Sequence, residues 1–145
     1  MKFEEGKEHG IEIRPAPPQK LEQPVDVAVG EDGLLYVADL TPRLIALDPA
    51  TGQIRRTWPI AIGALDGGSN LALHGSRLYV SEPDRDLVYA IDLSEDGFGF
   101  VRGDPSSPFT APLAVGCSPE NRLYTIDRNG ARLQVFADPL SGPRR

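Results

Sequence analysis

Short apolar stretches alternate with turn-forming residues along the chain, in a pattern that occurs three times. In the first occurrence, Gly33, Pro42 and Gly52 interrupt stretches that are rich in β-branched and aromatic residues. Short stretches of this kind, bounded by turn signals, predict β-strands rather than helices. The four predicted strands, labelled A to D in chain order, are 25–29, 34–38, 44–48 and 53–58.

The same order of strands is predicted twice more. The second unit has strands at 70–73, 77–81, 87–92 and 98–101, and the third has three at 113–117, 122–126 and 133–137. Tyr36, Tyr79 and Tyr124 occupy the same position of strand B and are 43 and 45 residues apart. A repeat of about 40–50 residues with several short strands is typical of a propeller blade. We therefore expect an all-β fold, a β-propeller with three four-stranded blades at about 24–58, 69–101 and 112–137.

The third blade lacks a strand D of its own, because the residues after its strand C are few and rich in proline. A strand-like stretch lies instead at 11–14. Ile13 precedes Pro24 by 11 residues, as Val101 precedes Pro112, so we expect this stretch to complete the third blade. The predicted division is a mobile arm at 1–10, a propeller unit at 11–140 and a tail at 141–145.

Three blades cannot close a ring, because propellers contain about four to eight. Strands A and B are apolar on both sides, as in Val27-Ala28-Val29, which is the pattern of a sheet that needs a neighbour on each face. A twofold homodimer would supply six blades, with the 11–14 strand of each chain completing the third blade of the other. The alternative is a fragment or a divergent remnant that needs a different partner.

The charge of the chain narrows the classes of partner. A formal net charge of −6 argues against nucleic acid and against an anionic membrane surface, both of which are bound by basic surfaces. We also expect no membrane span, because no apolar run approaches about 18 residues, and no secretory signal at the N-terminus. Cys117 is the only cysteine, so no internal disulfide is expected. A cytoplasmic location is compatible with these features.

The strings LLYVADLTPRLIALD and LYTIDRNGARLQVF resemble NHL repeats, over about 24–137. The second unit departs from that pattern, since Glu82 stands where the family usually has aspartate. The resemblance implies a six-bladed propeller and a scaffold role. It also implies membership of a wider six-bladed group that includes gluconolactonase and senescence-marker-like hydrolases. Such membership says little about activity, because propellers carry many unrelated functions.

Acidic residues occupy one repeated position, at the end of strand B. They are Asp39, Glu82 and Asp127. One interpretation is structural, with each acid bonding backbone amides of a turn and pairing with a nearby arginine. The other is functional, with the acids lining one face of the propeller and attracting a cation or a basic partner.

A second repeated position lies near the start of strand A, where Asp26 and Asn70 are predicted to face the central channel. Carboxylate and amide oxygens suit Ca²⁺ or Mg²⁺, and the gluconolactonase-like hydrolases resemble this arrangement in holding a divalent metal in the channel. The third unit departs from it, because Ala114 occupies the position and no channel glutamate can be matched. The structural alternative is that water hydrates these side chains.

These features favour a non-enzymatic module that binds a protein or a small ligand on the face shared by the D–A and B–C loops. Loops 59–69 and 103–111 would shape that face. The competing hypothesis is a divalent-metal-dependent, lactonase-like hydrolase with its site on the propeller axis. A third is a degenerate half-propeller with no ligand of its own.

Overall fold

The computed structural model describes residues 12–17, 19–40, 43–60, 69–95, 97–128 and 131–140. These residues form thirteen β-strands. They contain no helix that is long and apolar enough to cross a membrane. The first blade contains β1 (Pro24–Val29), β2 (Leu35–Asp39), β3 (Arg43–Leu47) and β4 (Ile54–Trp58). The second contains β5 (Leu71–His74), β6 (Arg77–Glu82), β7 (Leu87–Asp92) and β8 (Gly97–Val101). A hairpin of β9 (Gly103–Asp104) and β10 (Ser107–Pro108) leads to the third blade, which contains β11 (Pro112–Cys117), β12 (Leu123–Asp127) and β13 (Arg132–Phe136).

Every strand predicted within the three blades is present, with each boundary within one residue of its prediction. The strands of each sheet are antiparallel and neighbours in sequence, in the orders β1-β2-β3-β4, β5-β6-β7-β8 and β11-β12-β13. The innermost strands β1, β5 and β11 lie side by side. The small β9–β10 hairpin was not predicted, because its two-residue strands give no periodic pattern.

Two apolar layers hold the three blades together. Tyr36 and Leu44 of the first blade pack with Leu78 and Ile91 of the second. Tyr79 and Val88 of the second blade pack in the same way with Leu123 of the third, together with Phe109 from the connecting segment. Each layer uses the alternation of side chains along a strand, because every second residue of a central strand faces the next blade.

Each of the two outer blades has one face with exposed apolar side chains. On the first blade, Val27 and Val29 are 55% and 72% exposed. On the third blade, Ile126, Leu133 and Val135 are 51%, 66% and 53% exposed. The strands that are apolar on both sides are therefore buried on both faces in the middle blade. The outer face of the first blade is covered only in part, by the N-terminal segment, and that of the third blade stays exposed within the described chain.

The N-terminal segment lies on the first blade. Residues 12–17 form no strand, and Ile13 packs with Leu21 against the cluster of Val37, Ile45 and Leu47. Over the described ranges the third blade accordingly has three strands. The predicted pairing of 11–14 with the third blade of another copy stays a prediction, and the predicted arm 1–10 and tail 141–145 lie outside the described residues.

Candidate functional site

The acids predicted at the end of strand B terminate β2, β6 and β12, and all three are fully buried. Asp39 accepts hydrogen bonds from the backbone amides of Gln23 at 2.7 Å and Glu22 at 3.3 Å. It also forms an ion pair with Arg43 at 3.3 Å. Arg43 in turn donates to the carbonyl oxygen of Lys20 at 2.6 Å. This acid and its arginine therefore fix the segment that enters the first blade.

Asp127 repeats that arrangement in the third blade. It accepts hydrogen bonds from the backbone amide of Thr110 at 2.9 and 2.8 Å and pairs with Arg132 at 2.8 Å. Arg132 donates to the carbonyl oxygen of Pro108 at 2.7 Å. The same two side chains thus anchor the segment that enters the third blade.

Glu82 is the exception among the three acids. Its Oε2 accepts a hydrogen bond from the backbone amide of Arg85 at 3.0 Å, while the guanidinium of Arg85 is 3.9 Å away and mostly exposed. Its Oε1 finds no hydrogen-bond partner among the residues that the structure describes. Burial, together with the nearby charge of Asp84, raises the pKa of Glu82 above its ordinary value. A weakly paired carboxylate in this setting is costly to ionise.

The contacts of Asp39 and Asp127 are those expected if the acids have a structural role, since both carboxylates bond backbone amides and an arginine. None of the three acids contributes exposed surface. Their assignment to a binding face stays a prediction. Because they are buried, they would influence a ligand only through the electrostatic field of their carboxylates and through the loops that they hold in place.

Asp26 and Asn70 link adjacent blades. The Oδ2 atom of Asp26 accepts a hydrogen bond from the backbone amide of Leu71 at 2.7 Å, and Oδ1 accepts one from Val27 at 2.9 Å. The side-chain amide of Asn70 donates to the carbonyl oxygen of Leu113 at 2.7 Å. Asp26 therefore reaches from β1 to β5, and Asn70, which directly precedes β5, reaches to β11.

These contacts compete with metal binding at the predicted site. Both oxygens of Asp26 already accept backbone hydrogen bonds. The predicted site, to which two copies would each contribute this carboxylate and the Asn70 amide oxygen, therefore leaves few free oxygens for the six to eight that Ca²⁺ takes. Over the described ranges, no group of three or more His, Cys, Asp or Glu side chains is placed to hold a metal ion. The fit of this pair alone is poor, and the metal assignment stays a prediction.

An ion-pair network that the repeat pattern did not indicate joins the second and third blades. Arg77 pairs with Asp92 at 2.6 Å and, through two nitrogens, with Asp138 at 3.0 and 2.9 Å. Hydrogen bonds from Arg77 lower the pKa of Asp138. Burial pushes the pKa of Asp92 upward, but hydrogen bonds from Ser94 and Arg77 bring it below its ordinary value. Asp138 follows β13, so only the three-dimensional fold brings it to Arg77.

The face formed by the D–A and B–C connections, here the connector face, carries exposed charged and polar residues. They include Lys20, Glu22, Gln23, Asp84, Arg85, Thr110 and Arg128. Of the two loops predicted to shape this face, 103–111 contains the β9–β10 hairpin. Most of 59–69 lies outside the described residues.

Solved structures of propeller type are similar to this chain. U3-55K matches with a TM-score of 0.59 and 17% identity, over 89% of this chain and 41% of that one. The crystal structure of the RRP9 WD40 repeats matches with a TM-score of 0.58 and 16% identity, over 83% of this chain and 38% of that one. A chain of the mitotic checkpoint complex matches with a TM-score of 0.60 and 14% identity, over 79% of this chain and 34% of that one.

No protein-family model matches the chain, and none of the curated proteins matches it. The structural similarities confirm the all-β, β-propeller fold that the repeat predicted. At these identities they show the fold alone. The chain spans 34–41% of the length of the three similar structures.

Proposed function

We propose that this chain is a non-enzymatic, NHL-type propeller scaffold, which closes into six blades with a second copy and binds a protein or small ligand on its connector face. The observation that carries the closure is a difference in burial between equivalent positions. Leu44, Val88 and Leu133 each pair with the residue just before the strand B acid. Leu44 and Val88 are fully buried against the following blade, whereas Leu133 is 66% exposed.

The opposite end of the stack shows the complementary difference. Leu71 and Leu73 of β5 pack against the apolar layer that the first blade presents. Val27 and Val29 hold the equivalent positions of β1 but are largely exposed. A cavity of about 430 Å³ lies beside Val27, with mostly apolar walls that include Leu35. The first blade thus keeps, beside its N-terminal segment, exposed apolar positions of the kind that the second blade uses for packing.

The outer face of the third blade and the outer face of the first blade fit each other, because they correspond to the two sides of the interface between neighbouring blades. The third blade of one copy would cover the first blade of another, and a twofold axis would repeat the contact and close the ring. Exposed apolar surface of this kind is removed from water on closure, which is the main favourable term in association. A longer chain with further blades is the alternative occupant.

The connector face suits a binding role because rigid blades hold its loops in place. Asp39 and Asp127 fix two of the entering segments by buried hydrogen bonds, so exposed groups such as Lys20 and Thr110 have set positions. Loops positioned by a rigid scaffold commonly carry binding function. Similarity to a chain from a multiprotein complex is consistent with a protein partner.

The test of the closure is a pair of single variants, measured by sedimentation velocity. Leu133→Lys places a charge on the open face of the third blade and is expected to give a monomer. Phe98→Lys is the matched control, because Phe98 is also about half exposed but lies on β8 in the middle blade. The control should keep the dimer. Equal masses for the two variants would contradict the proposed interface.

The second candidate is the divalent-metal-dependent, lactonase-like hydrolase. What favours it is that Asp26 and Asn70 hold equivalent places on neighbouring blades, close to the innermost strands. Binding of Ca²⁺ or Mg²⁺ to the folded state would raise the melting temperature, and Asp26→Ala would remove that rise. No shift in millimolar Ca²⁺, Mg²⁺, Mn²⁺ or Zn²⁺ would exclude this candidate.

A further inference from the structure

The segment that enters the first blade is anchored in the same way as the segment that enters the third. Lys20 and Pro108 lie four residues before β1 and β11, and their carbonyl oxygens accept from the equivalent arginines Arg43 and Arg132 at 2.6 and 2.7 Å. The buried acids Asp39 and Asp127 accept from the amide two residues before each strand. The chain before β1 is therefore placed as a connection between blades.

The packing of this segment extends the equivalence upstream. Ile13 and Val101 each lie 11 residues before the start of an innermost strand. Ile13 packs on the open face of the first blade, and Val101, in the outermost strand β8, packs in the layer that faces the third blade. Leu21 and Phe109 correspond in the same way.

The backbone around Ile13 has the side-chain alternation of a strand. Glu12 and Arg14 are exposed and form an ion pair at 2.7 Å on one side of the segment, while Ile13 points to the other. Gly52 allows this segment to lie close to the β3–β4 turn, because a Cβ at Gly52 would stand 2.4 Å from the carbonyl oxygen of Arg14. The carbonyl oxygen of Gly52 also accepts from the amide of Ala16 at 2.6 Å.

The third blade offers the matching vacancy. β13 pairs with β12 on one side and has no strand on the other among the described residues. A cavity of about 430 Å³ runs beside it, with Arg132, Gln134 and Phe136 in its walls. In the first two blades the corresponding edge is occupied, because β4 pairs with β3 and β8 pairs with β7.

From these observations we infer that residues 12–14 of one copy add to the free edge of β13 in a second copy, with Ile13 directly opposite Leu133. The register follows from the second blade, where Val101 pairs with Val88, the equivalent of Leu133. Residues 12–14 need no rearrangement for this pairing. They already pack on the first blade of their own chain in the way that β8 packs on the third blade. The inference rests on the proposed closure with a second copy, and it names the strand and the register that complete each shared blade.

The test places thiols at the predicted pair in a Cys117→Ser chain, which removes the native cysteine. Ile13→Cys with Leu133→Cys puts Cα atoms about 4.5–5.5 Å apart if the two residues are opposite, within reach of a disulfide. The matched control is Ile13→Cys with Val135→Cys, whose diagonal separation of about 7–8 Å is beyond that reach. Under equal mild oxidation, the first pair is expected to give roughly tenfold more covalent dimer than the control.

The products separate the inference from the closure on which it rests. A single disulfide-linked dimer band supports both the register and the twofold closure, because a closed dimer uses the β13 edges of both copies. A chain that is dimeric by sedimentation but does not cross-link preferentially at 13 and 133 overturns the register while the closure stands. A monomer overturns both, and a ladder of trimers and larger species overturns the twofold closure.

Hydrogen exchange on the unmodified chain gives an independent readout. Raising the protein concentration through the dimer transition should slow exchange of backbone amides in Arg132–Phe136, since the added strand accepts hydrogen bonds along that edge. The amides of β8, which is already the outermost strand of its blade, should change little. Unchanged exchange in β13 across a measured dimer transition would overturn the inference.

Discussion

Glu82 shows how one substitution in a repeat changes the local electrostatics. Asp39 and Asp127 each bond the backbone of an entering segment and an arginine, whereas Oε1 of the longer Glu82 has no partner within the described part of the chain. The sequence marked Glu82 as the departure from the pattern. It could not show that the carboxylate would be buried, because burial depends on the neighbouring blades.

Glu82→Gln is expected to stabilise the protein at neutral pH. Burial raises the pKa of Glu82, so the folded state ionises it at higher pH than the unfolded chain, and stability falls as pH rises through that interval. The amide should therefore gain about 1 kcal/mol at pH 7, and the gain should vanish below about pH 4. Urea unfolding at several pH values measures it.

Asp127→Asn is the control for that variant, because Asp127 is equally buried but fully engaged with Thr110 and Arg132. It should lose about 1–3 kcal/mol at pH 7. If Glu82→Gln were as destabilising as this control, the account of Glu82 as the poorly satisfied acid would be wrong.

Arg77→Met should destabilise the protein by about 3 kcal/mol, because it leaves Asp92 and Asp138 as poorly compensated buried charges. Both carboxyls have lowered pKa values in the folded state. The pairs therefore contribute stability above the ordinary carboxyl range, and that contribution is lost as pH falls through the lowered pKa values. The difference between variant and parent should shrink in acid.

Arg55→Met provides the comparison for Arg77. Arg55 pairs with Asp48 at 2.9 Å, but its side chain is half exposed, and exposed ion pairs contribute little. Thermal or urea unfolding should show a much smaller loss than for Arg77→Met. Losses of the same size would mean that the buried network does not hold the second and third blades together.

At the scale of the strands, alternation of apolar residues with turn signals was sufficient to locate each blade strand. Leu35-Tyr36-Val37-Ala38, for example, places alternate residues on the two faces of β2. The β9–β10 hairpin was beyond such reasoning, because long-range hydrogen bonds from Gln134 and Arg132 hold Ser107 and Pro108 in place. Its position depends on the third blade rather than on its own sequence.

The contacts between innermost strands can be tested with Asn70→Asp. The Asn70 amide donates to the carbonyl oxygen of Leu113 at 2.7 Å, and a carboxylate there would place two acceptors against each other. We expect a loss of about 2 kcal/mol, measured by urea unfolding. Asp26→Asn keeps an acceptor for the amide of Leu71 and should cost less; the reverse order would contradict the assigned roles.

At the scale of the whole molecule, the repeat predicted a propeller and the need for a partner, and similarity to solved propellers confirms the fold. The open faces follow from the structure, where Leu133 is exposed while its equivalents Leu44 and Val88 are buried. The candidate binding and metal residues were less predictable. Sequence spacing places Asp26 and Asp39 on defined strands, but their hydrogen bonds depend on how neighbouring segments pack.

The closed six-bladed ring is the central claim, and the mass of the native chain in solution tests it most directly. Light scattering after size exclusion, over a range of protein concentrations, should give about twice the chain mass of 15.7 kDa, with no larger species as concentration rises. A well-folded monomer at all concentrations would contradict the closure. A mass that grows steadily with concentration would show open-ended association instead of a twofold ring.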